Sequence, residues 1–143
     1  MALLDRFLDK LLRRSPKRNK DTGTAAQRYW KSFNHALDGI IYAFKYEHNM
    51  IIIFIATLIA ICLGVYFKIE LGEWLFILFI CGAIASCEMI NSSIEATIDL
   101  ITTEEHPLAK IAKDTASSAT LILCIVSLIG GILIFLPKIF ELF

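Results

Sequence analysis

Apolar residues fill three long stretches of the chain, each bounded by short polar segments. The stretches cover residues 50–67, 74–101 and 119–136, and the third is followed by Pro137, which we expect to end its helix. At about 1.5 Å of rise per residue, roughly 20 residues cross the hydrocarbon core of a membrane. The pattern therefore predicts three transmembrane helices, with a polar loop over 102–118 between the second and the third.

The part of the chain before the first span predicts two amphipathic segments. Residues 25–47 predict a helix that lies at the membrane surface, because its apolar face is rich in the aromatic residues that settle at headgroup level. Residues 1–24 predict a separate extension, with a basic amphipathic helix at 2–14 and a polar linker at 15–24. Residues 25–143 are then one membrane domain.

Composition and charge placement support a membrane protein and predict its orientation. The chain is 57% hydrophobic with a mean hydropathy of +0.65, which exceeds the average for soluble domains. Ten of its fourteen Lys and Arg residues precede residue 46, and Lys110 and Lys113 follow the second span. Basic residues collect on the cytoplasmic side of membranes. We therefore expect the N-terminus and the 102–118 segment to be cytoplasmic.

Four polar residues of the second span share one helical face. At about 100° per residue, Glu88, Asn91, Glu95 and Asp99 fall within a sector of about 80°. Ionisable groups in or near a bilayer are costly and usually mark function. Stacked carboxylates repel one another and so require cations, and their oxygens suit Mg²⁺. Glu47, at the end of the surface helix, is a further candidate ligand.

No phosphate-binding glycine loop or protein-kinase motif occurs in the sequence. A phosphoryl-transfer site here would consist of carboxylates, metal and lysines, which suffices for chemistry that depends on positioning and charge. Two other functions fit parts of this pattern. An ion pathway could be lined by the acidic faces of several copies, but residues 74–87 are apolar. A structural subunit could pack through the small residues of 82–86, and such packing is also compatible with a phosphoryl-transfer site.

Two motifs resemble the signature of the small prokaryotic integral-membrane diacylglycerol kinase family. They are EMINSSIEATID at 88–99 and EEHPLAKIAKD at 104–114, and the resemblance covers about residues 28–136, with Gly39 and Glu47 at matching spacings. It implies an all-α membrane protein with three transmembrane helices and an N-terminal amphipathic surface helix, assembled as a homotrimeric bundle. It also implies ATP and Mg²⁺ as co-substrate and cofactor, a lipid alcohol as acceptor, no nucleic-acid partner, and a bacterial inner (cytoplasmic) membrane location with a cytoplasmic active site.

The same resemblance implies roles for individual residues. Glu95 would be the catalytic base, and Glu47 and Glu95 would bind the metal. Asn91 and Glu88 would complete the catalytic group. The implied nucleotide-binding residues are Lys113, Asp114, Glu104, His106, Asp99 and Arg28. The HPLAKIAKD form of the second motif resembles the undecaprenol branch of the family, so undecaprenol is the favoured acceptor and diacylglycerol the alternative.

Overall fold

The computed structural model describes residues 23–142, which form four α-helices and contain no strand. These are α1 (Ala25–Tyr46), α2 (His48–Tyr66), α3 (Leu71–Ile101) and α4 (Pro107–Phe140). The last three are long and apolar enough to cross a membrane. The predicted all-α membrane fold with three spans and a preceding helix is confirmed. The predicted helix at 2–14 lies outside the described residues, as does most of the predicted linker at 15–24.

The chain forms two compact units that divide between Leu37 and Asp38, within α1. In the first unit, the aromatic residues Tyr29, Trp30 and Phe33 are exposed. An exposed aromatic face is what a helix at the membrane surface presents to the headgroups. The second unit contains the end of α1 and the three apolar helices.

Glu47 separates α1 from α2. Its backbone is extended, with φ −102° and ψ 110°, and it is the N-cap residue of α2. The first turn of α2 begins directly at this residue, because the Met50 amide donates to the Glu47 carbonyl at 3.2 Å. Met50 is buried. This single extended residue therefore redirects the chain and sets the position of the first turn of α2.

The connection between α2 and α3 is tight. Gly64 lies against the ring of Trp74, so that a Cβ at Gly64 would come within 2.8 Å of it. Lys68 takes a left-handed backbone conformation with φ 50°. Glu70 and Glu73 then form a capping box, in which the Glu70 amide donates to the Glu73 carboxylate at 2.8 Å. Helix α3 consequently begins at Leu71, before the predicted start near Trp74.

Helices α3 and α4 pack antiparallel, and polar contacts join them at both ends. Lys138 pairs with Glu73 at 3.2 Å where α3 begins and α4 ends, and Lys113 pairs with Asp99 at the opposite end. Between these contacts, Gly130 lies so close to Phe76 that a Cβ there would overlap the ring. The two helices are thus in register along most of their length.

The predicted loop over 102–118 is wrong, because α4 begins at Pro107, about three turns before the predicted span. Proline at the first helical position is favourable, and the His106 side chain accepts a hydrogen bond from the Leu108 amide at 3.2 Å as N-cap. Residues 102–106 alone connect the helices. The expectation that Pro137 ends the last helix is also wrong, since α4 continues to Phe140. A proline removes one amide donor but can itself adopt helical φ.

Candidate active site

The polar face of α3 runs from the protein interior to the end of the helix. Glu88 is 3% exposed and Asn91 is 6% exposed, whereas Glu95 is half-buried and Asp99 is exposed. These four residues lie on one face because their spacing follows the helical period. The face therefore leads from a water-poor environment beside apolar helices to an open end at the α3–α4 connection.

Two asparagine side chains each hold one carboxylate of this face. Asn49, in the first turn of α2, donates from Nδ2 to Glu88 Oε1 at 2.7 Å. Asn91 donates from Nδ2 to Glu95 Oε1 at 3.0 Å, one turn along α3. The Oδ1 atom of Asn91 is buried and has no hydrogen-bond partner among the described residues. Buried polar atoms are normally paired, so this oxygen is available to a ligand.

An open cavity of about 620 Å³ lies where α3 ends and α4 begins. This volume is within the usual range for small-molecule and cofactor sites. Five predicted nucleotide-binding residues line it, together with Lys110: they are Asp99, Glu104, His106, Lys113 and Asp114. The structure thus brings together residues that the sequence places on two helices and the intervening connection.

Each of the two lysines of this cavity forms an ion pair with a carboxylate. Lys113 of α4 pairs with Asp99 of α3, and Lys110 pairs with Asp114 one turn along α4. These side chains are partly to largely exposed, and exposed ion pairs contribute little to stability. Either lysine can therefore exchange its carboxylate for a ligand phosphate at small cost.

The oxygen atoms near Glu95 suit a hard divalent cation, but they do not form a complete metal site. Among the described residues, no three His, Cys, Asp or Glu side chains are grouped to hold a metal ion. The Glu95 carboxylate and the free Oδ1 of Asn91 are oxygen donors of the type that Mg²⁺ takes. Mg²⁺ is usually held by one or two carboxylates together with substrate phosphates and water, so the residues present fit it.

Two predicted residues stand apart from these contacts. Glu47 is half-buried at the start of α2, two residues before Asn49. It therefore lies at the same end of α2 as the residue that contacts Glu88. Arg28 is an exposed residue of α1 in the unit that ends at Leu37. The metal-binding role of Glu47 and the nucleotide-binding role of Arg28 remain predictions.

The sequence reasoning missed Asn49 and Thr120. Asn49 contacts Glu88 from another helix, 39 residues earlier in the chain, and no local periodicity relates the two positions. Thr120 is the one buried residue of α4, and its Oγ1 has no partner among the described residues. The sequence offered one signal for Thr120, which is that a polar residue stands at the start of the apolar stretch 119–136.

The acidic face thus runs from a buried carboxylate beside apolar helices to an open cavity with two lysines. The chain matches the model of the prokaryotic diacylglycerol kinase family over residues 34–135. It belongs to this family, and it is a membrane lipid kinase.

Relatives from several bacteria are similar over most of their length. An undecaprenol kinase from Bacillus subtilis is 39% identical over 84% of this chain and 98% of its own length. A diacylglycerol kinase from Helicobacter pylori is 41% identical over 67% of this chain and 75% of its own. A diacylglycerol kinase from Haemophilus influenzae is 37% identical over 73% of this chain and 90% of its own. The family resemblance inferred from the two motifs is confirmed.

Proposed function

We propose that the protein transfers the γ-phosphate of ATP to the hydroxyl of undecaprenol, with diacylglycerol as the alternative acceptor. The observation that carries this proposal is that one helical face connects an open polar cavity with a buried carboxylate. The cavity at the α3–α4 connection contains lysines for phosphate, and the acidic face leads from it to the buried Glu88 among apolar helices. A water-soluble nucleotide and a lipid hydroxyl can meet along such a face.

The acceptor preference rests on similarity. The HPLAKIAKD segment resembles the undecaprenol branch of the family, and the relative from Bacillus subtilis that carries the name undecaprenol kinase aligns over 98% of its length. Both acceptors are long apolar molecules with a primary hydroxyl at the interface. The transfer chemistry is therefore the same for either, and the binding of the rest of the lipid differs.

In the proposed reaction, the lipid hydroxyl oxygen attacks the γ-phosphorus while the bond to the β,γ-bridging oxygen breaks and ADP leaves. Lys113 and Lys110 leave their ion pairs with Asp99 and Asp114 and bind phosphate oxygens instead. Their positive charge then offsets the negative charge of the phosphates. A carboxylate of α3 accepts the hydroxyl proton. A base at this point contributes about 10²- to 10⁴-fold to the rate.

The environments of Glu88 and Glu95 favour different roles for them. Glu95 is half-buried and lies about one turn from Asp99, which lines the cavity, so it is well placed to hold the phosphate-bound cation. Glu88 lies about two turns deeper and is shielded from water, which suits it to take a proton from a lipid hydroxyl. The sequence prediction assigns both roles to Glu95. We propose the divided arrangement, with Glu95 as the alternative base.

Mg²⁺ is the proposed metal, held by Glu95 and Glu47 with Asn91 Oδ1 as a further donor. When bound, it would neutralise phosphate charge during transfer. We expect chelation with EDTA to abolish phosphate transfer and added Mg²⁺ to restore it. The protein should keep its helical circular dichroism spectrum throughout. Transfer that persists in excess chelator would contradict the metal requirement.

We propose that the functional assembly is a homotrimer in the bacterial cytoplasmic membrane, with the N-terminus and cavity cytoplasmic. Most apolar residues of α2 and α4 are exposed on the single chain, which leaves surface for lipid and for other copies of the chain. The basic residues before residue 46 and those of the α3–α4 end belong on the same side by the positive-inside rule. Arg28, which belongs to the basic N-terminal part, and the residues of the cavity are then on the side that supplies ATP.

A competition assay tests the proposed function. Purified protein in mixed micelles is offered equal amounts of undecaprenol and diacylglycerol with γ-labelled ATP, and the lipid products are separated. We expect most of the label in undecaprenyl phosphate, and at least about 100-fold slower labelling with the Glu88→Gln variant. Label mainly in phosphatidate would make diacylglycerol the acceptor. Label in neither lipid would contradict a lipid kinase.

A further inference from the structure

The carboxylate of Glu88 is held by a side chain from a different helix. Asn49 Nδ2 of α2 donates to Glu88 Oε1 at 2.7 Å. From this contact we infer that Asn49 is a positioning residue of the kinase, which holds the Glu88 carboxylate in the orientation needed for phosphoryl transfer. The inference rests on the proposed function, in which the acidic face of α3 carries the chemistry.

Glu88 depends on this donor because its surroundings offer no comparable one. A carboxylate that is 3% exposed loses most of its hydration and needs hydrogen bonds in compensation. Of the neighbouring polar groups, Ser92 donates to the backbone carbonyl of Glu88 and Asn91 donates to Glu95. Within residues 23–142, Asn49 is thus the side chain that donates to the Glu88 carboxylate. Its removal would leave a buried carboxylate free to rotate.

The fold holds Asn49 in place independently of this bond. The extended backbone of Glu47 starts α2, and the buried side chain of Met50 anchors the first turn. Asn49 lies between Glu47 and Met50 and is exposed, so burial of its own side chain contributes little to the stability of the fold. The N-terminal end of a helix also carries a partial positive charge, which favours a nearby carboxylate. The contact with Glu88 is therefore the main interaction that the Asn49 side chain makes.

A neutral donor also suits the charge of the site. A lysine or arginine at this position would place a positive charge beside Glu88, which stabilises the ionised carboxylate and makes it a weaker base. The Asn49 carboxamide fixes the direction of the carboxylate and leaves its charge unchanged. Asn91 makes the same kind of bond to Glu95. Glu88 and Glu95 therefore each have one neutral carboxamide that orients the carboxylate.

Steady-state kinetics of four purified variants test the inference. Asn49→Leu removes the donor at similar size, Asn49→Asp replaces it with an acceptor, and Asn49→Gln retains the amide. Lys138→Gln is the matched control, because it breaks a 3.2 Å contact between α3 and α4 at the other end of the helices. Phosphate transfer to undecaprenol and to diacylglycerol is measured against ATP concentration, together with thermal unfolding and oligomeric state in detergent.

We expect Asn49→Leu and Asn49→Asp to lower kcat by about 10- to 100-fold, as a misplaced catalytic group does, with the KM for ATP within about twofold. Asn49→Gln should restore most of kcat, because its side chain is on an exposed position with room for one more methylene. Lys138→Gln should lower thermal stability and leave kcat of the folded protein near the wild-type value.

A folded Asn49→Leu protein with kcat within about twofold of wild type would overturn the inference. If Asn49→Leu does not fold, the isosteric Asn49→Asp variant decides in the same way. An Asn49→Gln variant as inactive as Asn49→Leu would show that the amide donor is not the relevant group. Wild-type protein that phosphorylates neither lipid would instead contradict the proposed function, so the two failures are distinguishable.

Discussion

At the scale of single residues, the site depends on how each carboxylate is surrounded. Glu88 is buried and receives one hydrogen bond from α2, whereas Glu95 is half-buried and receives one from its own helix. Asp99 is exposed and pairs with a lysine of α4. The three residues have similar chemistry, and the burial and donors around them are what separate their proposed roles.

The division between Glu88 and Glu95 predicts different kinetic defects. We expect Glu88→Gln to lower kcat by about 10²- to 10⁴-fold without changing the Mg²⁺ concentration that gives half-maximal rate. Glu95→Gln should lower kcat and also raise that Mg²⁺ concentration, because it removes a metal ligand. Initial rates across a Mg²⁺ titration measure both quantities. The reverse pattern would assign the base to Glu95, as the sequence predicts.

At the scale of the helices, close contact between α3 and α4 sets the site. Their register brings Lys113 to Asp99 and places the cavity at the end of the pair. Gly130 permits this approach, because a side chain there would overlap Phe76. The early start of α4 at Pro107 also matters. It places Lys110, Lys113 and Asp114 on a helix at defined spacings, where the sequence alone predicted a loop.

Adjacent glycines in α4 provide a matched test of this packing. Gly130→Ala should destabilise the protein by about 1–3 kcal/mol, because the added methyl group meets Phe76 and the helices must separate. Gly131→Ala has no atom within 4 Å of the new Cβ and should be neutral or slightly stabilising, since alanine favours helix. Unfolding in detergent–denaturant mixtures measures both. Equal stability of the two variants would contradict the described register.

At the scale of the whole molecule, the exposed apolar residues and the placement of charge indicate how the chain is arranged in the membrane. Helices α2 and α4 expose most of their large apolar side chains, as expected where lipid or other copies provide the contact. Lys68 follows α2, whereas Glu105 lies between α3 and α4, so an odd number of spans separates the two positions. They must therefore lie on opposite sides of the membrane.

Labelling of single cysteines tests this topology and its direction. In a background with the four native cysteines replaced by serine, Lys68→Cys and Glu105→Cys are treated with a membrane-impermeant maleimide. We expect Lys68→Cys to react in intact cells and Glu105→Cys to react only after the membrane is permeabilised. The opposite result would place the cavity outside and away from ATP, which would contradict the proposed orientation.

Features that depend on a single helix were determined by the sequence. Hydrophobic length predicts three spans because a bilayer has a fixed thickness, and the helical period places Glu88, Asn91, Glu95 and Asp99 on one face because side-chain direction repeats every 3.6 residues. The two motifs were sufficient for the family.

Contacts between helices were decided only by the tertiary structure. The bond from Asn49 to Glu88 and the pairing of Lys113 with Asp99 join residues on different helices. Their partners depend on the register and rotation of one helix against another, which follow from the packing of side chains such as Phe76 against Gly130. No periodicity within one segment encodes these quantities. The acidic face could therefore be read from the sequence, whereas the residue that orients its most buried carboxylate could not.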